Sequence, residues 1–409
     1  MTLPRDIREI VDRLVLVSPS DHFLIHYELR NPLSGRGLGA HGVRDHELIL
    51  TYRTALEKLY ETMTSGPWHR DPPIVGPDGK THVYVFNSGH PFTTYDGTTK
   101  IPYIVLTSRN NEPTTQAELH RATSEAVHEA THLFNYSQRP LWDKIPAKRW
   151  EWFDEGLAVL MEMLVAKDNP DHFRFLMDWI DSPEVSLDLD HPAVKYQAGM
   201  FIHYVKELLG SKFVNDVWVN SDPDEEPLRA LQRLMPDGRK FFSSDAGVQD
   251  VFAGYCIDPY CLWDHASEVF LRFGERAVRE SLRLPDRNDG EIKDSLDHLS
   301  CRYYRFYLND GVDTLEVIMD VDSHFEDTPL KAQIAVVTKD RRRSVPEPLR
   351  PRANGMDGDS TLSCVLRGLN SAEIDHIVLV VSNCGTNLSL NSDFGGDDGR
   401  EYSFSGRAH

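Results

Sequence analysis

The amino-acid sequence predicts an α+β fold, in which a small sheet and a group of helices are followed by a C-terminal β-sandwich. Three observations predict it. Short β-branched and aromatic runs occupy the first third, apolar residues recur at helical spacing from about Thr115 to about Leu282, and the pattern changes to period two from about Cys301. With 409 residues and ~150 residues per domain there is room for two or three domains. The pattern changes divide the chain into an N-terminal α/β part (1–114), a helical part (115–285) and a β-rich part (286–409).

The elements follow in order. His22–Leu29 alternates with Phe23, Ile25 and Tyr27 on one face, as a half-buried strand does. Gly35–Gly42 supplies a loop. Glu47–Met63 carries Leu48, Tyr52, Ala55, Leu56 and Leu59 on one side of a helix. His82–Phe86 and Ile101–Thr107 are neighbouring strands separated by the glycine-containing loop Gly89–Gly97. Ile101–Thr107, directly before the next helix, is expected at a sheet edge that lines a cleft.

Thr115 and Glu118 have capping-box spacing, and Leu119, Ala122, Ala126, Ala130 and Leu133 trace an apolar stripe behind them. A helix is therefore predicted over about Gln116–Tyr136. Pro140 and Pro146 end it, and Phe153, Leu157, Leu160 and Leu164 give the next helix its apolar face. Turn residues cluster at Leu284–Gly290. Beyond them Arg302–Leu308, Thr314–Val321, Lys331–Val337, Thr361–Leu366 and Ile374–Val381 are short strands, with Arg341–Asp359 as a long loop among them.

A net charge of −20 argues against nucleic acid or an anionic membrane as partner. No run reaches the ~18 apolar residues of a membrane span, so no integral membrane contact is expected. Met1–Val17 interleaves Arg5, Asp6, Arg8, Glu9, Asp12 and Arg13 with apolar residues, unlike the core of a signal peptide. Five cysteines leave two readings open: Cys256–Cys261 and Cys364–Cys384 as disulfides, or all as buried thiols.

The chemistry concentrates in the helix that begins near Gln116. His128-Glu129-Ala130-Thr131-His132 places two imidazoles four residues apart, on one helical face, with Glu129 beside them. A catalytic zinc needs a third protein ligand and an open position. Trp152-Phe153-Asp154-Glu155-Gly156-Leu157-Ala158 supplies Glu155, and Gly156 and Ala158 permit a close helix approach around it. The expected metal ligands are His128, His132 and Glu155, with Glu129 as general base. Glu125, one turn before His128, and Glu162, two turns after Glu155, are candidates to orient the ligands.

These motifs resemble the gluzincin clan of zinc peptidases, which includes thermolysin and the zinc aminopeptidases. His128, Glu129 and His132 match its HExxH helix, and Trp152–Ala158 is similar to its third-ligand helix. Tyr196-Gln197-Ala198-Gly199 resembles the Y-x-x-G segment of the aminopeptidase branch, which implies that Tyr196 stabilises an oxyanion. His22–Asn220 is also similar to certain bacterial secreted metalloproteases that begin with an H-F-x-I-x-Y strand. The resemblance covers about half the chain. It implies a zincin-like catalytic body, a polypeptide substrate and secretion; without it, a cytoplasmic protein would be expected.

Two departures matter. Val159 stands where thermolysin-type enzymes carry an acid four positions after the third ligand, and no G-x-M-E-N segment precedes the first helix. Endopeptidase action is therefore expected over exopeptidase action. The alternatives are a zinc hydrolase of non-peptide amides or esters, and a non-catalytic binding or adhesion protein built on the sandwich. The acidic stretch Asp393–Asp398 is open to two readings, calcium ligation or a solvated turn, and His90 lies in an exposed loop.

Overall fold

The computed structural model describes residues 16–29, 42–43, 46–96, 99, 101–108, 115–138, 147–167, 178–179, 181–188, 195–222, 225–235, 247–261, 278–284, 291–321, 330–340, 344–351, 361–385 and 400–409. Helices and three five-stranded sheets make it an α+β molecule. Contacts gather into two compact units, one of residues 1–175 and 198–230, the other of 176–197 and 231–409.

The first unit contains a mixed sheet of β1 (Leu16–Pro19), β2 (Phe23–Tyr27), β3 (Thr81–Phe86), β4 (Phe92–Tyr95) and β5 (Pro102–Thr107). Its order is β1-β2-β3-β5-β4, with β2, β3 and β5 parallel and the two outer strands antiparallel. Of the parallel strands, β3 and β5 are buried on both faces, as their nearly unbroken apolar runs require, while β2 alternates buried and half-buried residues. The expected edge position of Ile101–Thr107 is therefore corrected. β5 is interior, and the edge is β4, four half-buried residues inside the segment Gly89–Gly97 that glycine and proline mark as a loop.

Helix α1 (His46–Thr64) buries Leu48, Tyr52, Leu56 and Leu59 and ties to β5 through Tyr52, whose hydroxyl donates to the Thr107 carbonyl at 2.7 Å. Helix α2 (Gln116–Gln138) packs on α1 and β5. Thr115 caps it: its hydroxyl accepts from the Glu118 N–H at 3.2 Å. Helix α3 (Ala147–Val165) lies between α2 and α4 (Ala198–Leu209), followed by α5 (Ser211–Val219). Gly156 and Gly199 set the α3–α4 approach. A Cβ on Gly199 would come within 2.5 Å of Val159, and one on Gly156 within 2.7 Å of Ile202 and 3.0 Å of the Ala198 backbone. The second unit's longer segment begins at Leu231 within helix α6 (Pro227–Leu234).

In the second unit, helix α7 (Val248–Cys261) precedes two five-stranded sheets. One contains β6 (Val278–Leu284), β8 (Ser300–Leu308), β10 (Leu330–Thr338), β11 (Glu347–Pro348) and β14 (Ile374–Asn383), in the order β11-β10-β14-β8-β6. The other orders β12 (Arg350–Pro351), β13 (Thr361–Arg367), β9 (Thr314–Val321), β15 (Arg400–Ala408) and β7 (Ile292–Leu296). Both contribute to one apolar cluster: Phe306, Ile334 and Leu379 from the first, Val317, Met319 and Phe404 from the second.

Cys256, Cys301, Cys364 and Cys384 are buried free thiols. Cys364 on β13 and Cys384 just after β14 belong to different sheets, so the Cys364–Cys384 reading is corrected; the Cys256–Cys261 reading involves Cys261, whose side chain lies outside what the structure describes. Pro140, Pro146, the Leu284–Gly290 cluster beyond its first residue, and the Asp393–Asp398 candidate calcium loop lie outside the described residues. Among the described residues, no helix is long and apolar enough to cross a membrane.

Candidate metal centre

The 3.6-residue period of α2 stacks His128 above His132. Close passage of α3 brings Glu155 to both of them, and one ligand atom from each lies within 4.8 Å of the others. His128 Nε2 is 3.0 Å from Glu155 Oε2, His132 Nε2 is 3.1 Å from His128 Nε2, and His132 Nε2 is 3.5 Å from Glu155 Oε2. Tetrahedral zinc with bonds of about 2.0–2.1 Å separates neighbouring donors by about 3.3–3.4 Å. The three atoms thus form a triangle of the size of one tetrahedral face. Side-chain exposures of 13%, 7% and 12% for His128, His132 and Glu155 leave little water around them.

The surrounding groups fix both rings. His128 Nδ1 contacts Glu162 Oε1 at 2.8 Å, and His132 Nδ1 lies 3.0 Å from Asp154 Oδ2 in a close ionic contact. Each Nδ1 thereby faces a carboxylate, through a hydrogen bond at His128 and a close ionic contact at His132, and each Nε2 is turned to the shared point, as in metal-binding histidines. Of the two orienting candidates, Glu162 occupies this place. Glu125, half-buried on α2, is not the group at His128 Nδ1. Asp154 was not anticipated, although its position next to Glu155 was a signal.

Electrostatics favour a cation here. Burial opposes charge on His128, but hydrogen bonds to Glu155 and Glu162 outweigh it and raise its pKa to about 10. Burial opposes charge on His132 as well, and Asp154 and Glu155 raise it well above the ordinary histidine value. For Glu155 burial pushes the carboxyl up, yet contacts with both histidines hold it far below the usual carboxylate range. The raised histidine pKa values mean that these carboxylates favour positive charge at this point. A divalent ion would supply the same charge at the same point.

Glu129 is 6% exposed. Burial pushes its carboxyl up, while His128, His132 and a hydroxyl from Thr93 pull the other way. Thr93, on edge strand β4, has its Oγ1 2.7 Å from the Glu129 carbonyl and 2.9 Å from Glu129 Oε2. Neither Thr93 nor Tyr136 was anticipated. Tyr136 extends the four-residue series 128–132–136 and stacks on His132, with ring centroids 5.7 Å apart; that continuing period was its signal.

Tyr196 stands half-buried in the turn 195–197 before α4, with the Lys195 ammonium 5.4 Å from its ring centroid. It belongs to the second unit's segment 176–197, whereas the His-His-Glu cluster belongs to the first. His90 is exposed, its ring 6.1 Å from Phe92.

No protein-family model matches the chain, and no curated protein matches it significantly.

Proposed function

We propose that this chain is a zinc-dependent peptidase of the gluzincin type, a hydrolase acting as an endopeptidase. In this reading the first unit is a zincin-like catalytic body and the two sheets of the second unit form an accessory β-sandwich. One observation carries the proposal: three donors of zinc-binding type lie at tetrahedral spacing, with a buried glutamate one residue along the helix from the first of them. A purely structural metal site has no use for that glutamate.

His128, His132 and Glu155 would hold the metal, and zinc bound there supplies an acidified water and a polarised carbonyl. Glu129 does the proton work: its carboxylate accepts a proton from the attacking water and returns it to the leaving amine. Burial supports this role, because it brings the basicity of Glu129 closer to what proton exchange near neutrality requires. Glu162 and Asp154 keep the two imidazoles in the tautomer that leaves Nε2 free. Strand β4 is an outer strand of its sheet among the described residues and lies beside α2, where an extended peptide would add by main-chain hydrogen bonds. Tyr196 is assigned to the developing oxyanion by resemblance alone.

The test pairs metal analysis with casein digestion for wild type and Glu129→Gln. Equal zinc in both, with proteolysis in wild type only, is the expected result. Equal proteolysis would remove Glu129 from the mechanism. Intact casein beside turnover of a small amide or ester would reassign the substrate class.

A further inference from the structure

Beneath the His-His-Glu cluster lies a buried cation that the proposed chemistry does not use. Arg70 is 4% exposed, and its guanidinium donates through Nε to Asn215 Oδ1 at 2.7 Å and through Nη1 to Asn135 Oδ1. Asn135 is fully buried on α2, one turn beyond Thr131, and its Nδ2 donates to Asp154 Oδ1 at 2.5 Å. The other oxygen of Asp154 is the one that faces His132 Nδ1 at 3.0 Å. A continuous line of polar contacts therefore runs from Arg70 through Asn135 and Asp154 to the ring of His132, one of the three candidate metal ligands.

A buried guanidinium is costly, since desolvation takes several kcal/mol unless fixed partners repay it. The chain also strains its backbone to put Arg70 there. After α1 it turns through Gly66 at φ 58° and His69 at φ 38°, the latter in the left-handed region that side-chain-bearing residues seldom occupy. Arg70 N–H then returns to the Met63 carbonyl at 2.8 Å, and Asn215 Nδ2 donates to the Trp68 carbonyl at 2.6 Å, which pins the turn from the other side.

Charge explains what this arrangement accomplishes. Glu129, Asp154, Glu155 and Glu162 bring four carboxylates to one point. A dication leaves an excess of two negative charges if all four are ionised, and the guanidinium, joined to Asp154 through Asn135, lessens it. The Asn135 amide accepts from the cation and donates to Asp154, so the guanidinium polarises it in the sense that strengthens its bond to the carboxylate. Asp154 is thereby held in one rotamer, with one oxygen committed to Asn135 and the other to His132.

We infer that Arg70 is a positioning residue of the metal centre, acting through Asn135 and Asp154 to fix the His132 ring and thereby to set metal affinity. The inference rests on the metal-centre reading above. Its test is a measurement of zinc affinity by competition with a chromophoric chelator, using the full chain first stripped of metal, for wild type, Arg70→Met, Asp154→Asn and the double variant.

Loss of a group that orients a metal-binding histidine weakens affinity about 10- to 100-fold, and Arg70→Met is expected in that range. Because Arg70 acts through Asp154, the double variant should bind no more weakly than Asp154→Asn alone. A residue that merely braced the fold would instead add its own loss to that of Asp154→Asn. Where Arg70→Met does not fold, Arg70→Gln removes the charge but keeps an amide able to donate to Asn135, and at least a fivefold weakening is expected of it. Wild-type affinity in the folded Arg70 variant, or strictly multiplicative losses in the double variant, overturns the inference while leaving the metal centre intact. A wild-type chain that takes up no zinc removes the centre and the inference together.

Discussion

Single contacts decide what Glu129 can do. A carboxylate that must accept a proton and deliver it again needs a fixed orientation, and Thr93 touches Oε2 while leaving Oε1 uncommitted to that contact. Replacing Thr93 by valine keeps the shape of the side chain and removes the hydroxyl. Turnover of casein should fall about tenfold or more, because misplaced general-base catalysis forfeits part of its ~10²–10⁴-fold contribution. Zinc content should be unchanged, since Thr93 touches none of the three ligands, and Thr93→Ser should recover most of the rate. A steady-state comparison in which Thr93→Val changes KM alone would reassign Thr93 to peptide docking. Residues of this kind explain how far the site could be read in the chain itself. His128, Glu129 and His132 were legible because helical periodicity puts the two imidazoles on one face with the glutamate beside them, and Glu155 because its motif follows at a distance that suits a second, packed helix. Thr93 and Arg70 reach the site from strand β4 and from a turn after α1, and nothing local marks a threonine or an arginine as having such a partner. Asp154 fell between these cases, visible next to Glu155 but aimed at His132 by packing alone.

Among elements, the contact between α3 and α4 carries the third ligand, and two glycines make it possible. A methyl on Gly199 would lie 2.5 Å from Val159 Cγ1 and 2.6 Å from its Cβ, too close for the helices to stay where they are. Gly199→Ala is predicted to cost about 1–3 kcal/mol, as overpacking of a dense core usually does. The midpoint of urea unfolding measures it, and an unchanged midpoint would show that the helices separate freely. Gly156→Ala should be worse: its methyl meets the Ala198 backbone at 3.0 Å, and any shift of α3 also moves the adjacent Glu155. Elements with a strong period were legible to within two residues, as with α1, α2, β9 and β13. Those that escaped share a physical cause. β4 is four residues long between glycine and proline signals, and β6, Val-Arg-Glu-Ser-Leu-Arg-Leu, alternates too weakly to interrupt a helical reading. β15 gains its place by pairing with β9 and β7, which are distant in sequence.

At the scale of the whole molecule, histidines of opposite character predict how stability depends on pH. Burial and the neighbouring His82 lower the pKa of His26 to about 4, against the pull of Asp78, and burial and Lys206 lower that of His203 to about 4. Both are near 6.5 when unfolded. Between those values the unfolded chain binds more protons than the folded one, so stability is present above pH 6.5 and is lost as pH falls toward 4. His128 and His132 have the reverse sign in the metal-free protein. Their pKa values are raised, to about 10 for His128, so the folded chain holds more protons above pH 6.5 and the stability they contribute is lost as pH rises toward 10. Buried thiols add to that loss only later. Cys364 is pushed up to about 11 and Cys384 to about 12, by burial above all, and an unfolded thiol releases its proton near pH 8.5. Metal-free protein in a chelating buffer should therefore be most stable near pH 6.5, with unfolding midpoints that decline on both sides. Zinc binding requires neutral imidazoles, so in the loaded protein the decline between pH 6.5 and 8.5 should vanish, while the acid limb, to which His26 and His203 contribute, should steepen as protons compete with zinc for His128 and His132. Chemical unfolding across pH 4–9, with and without zinc, reads both limbs. An alkaline limb that zinc leaves untouched would mean that His128 and His132 do not share a metal.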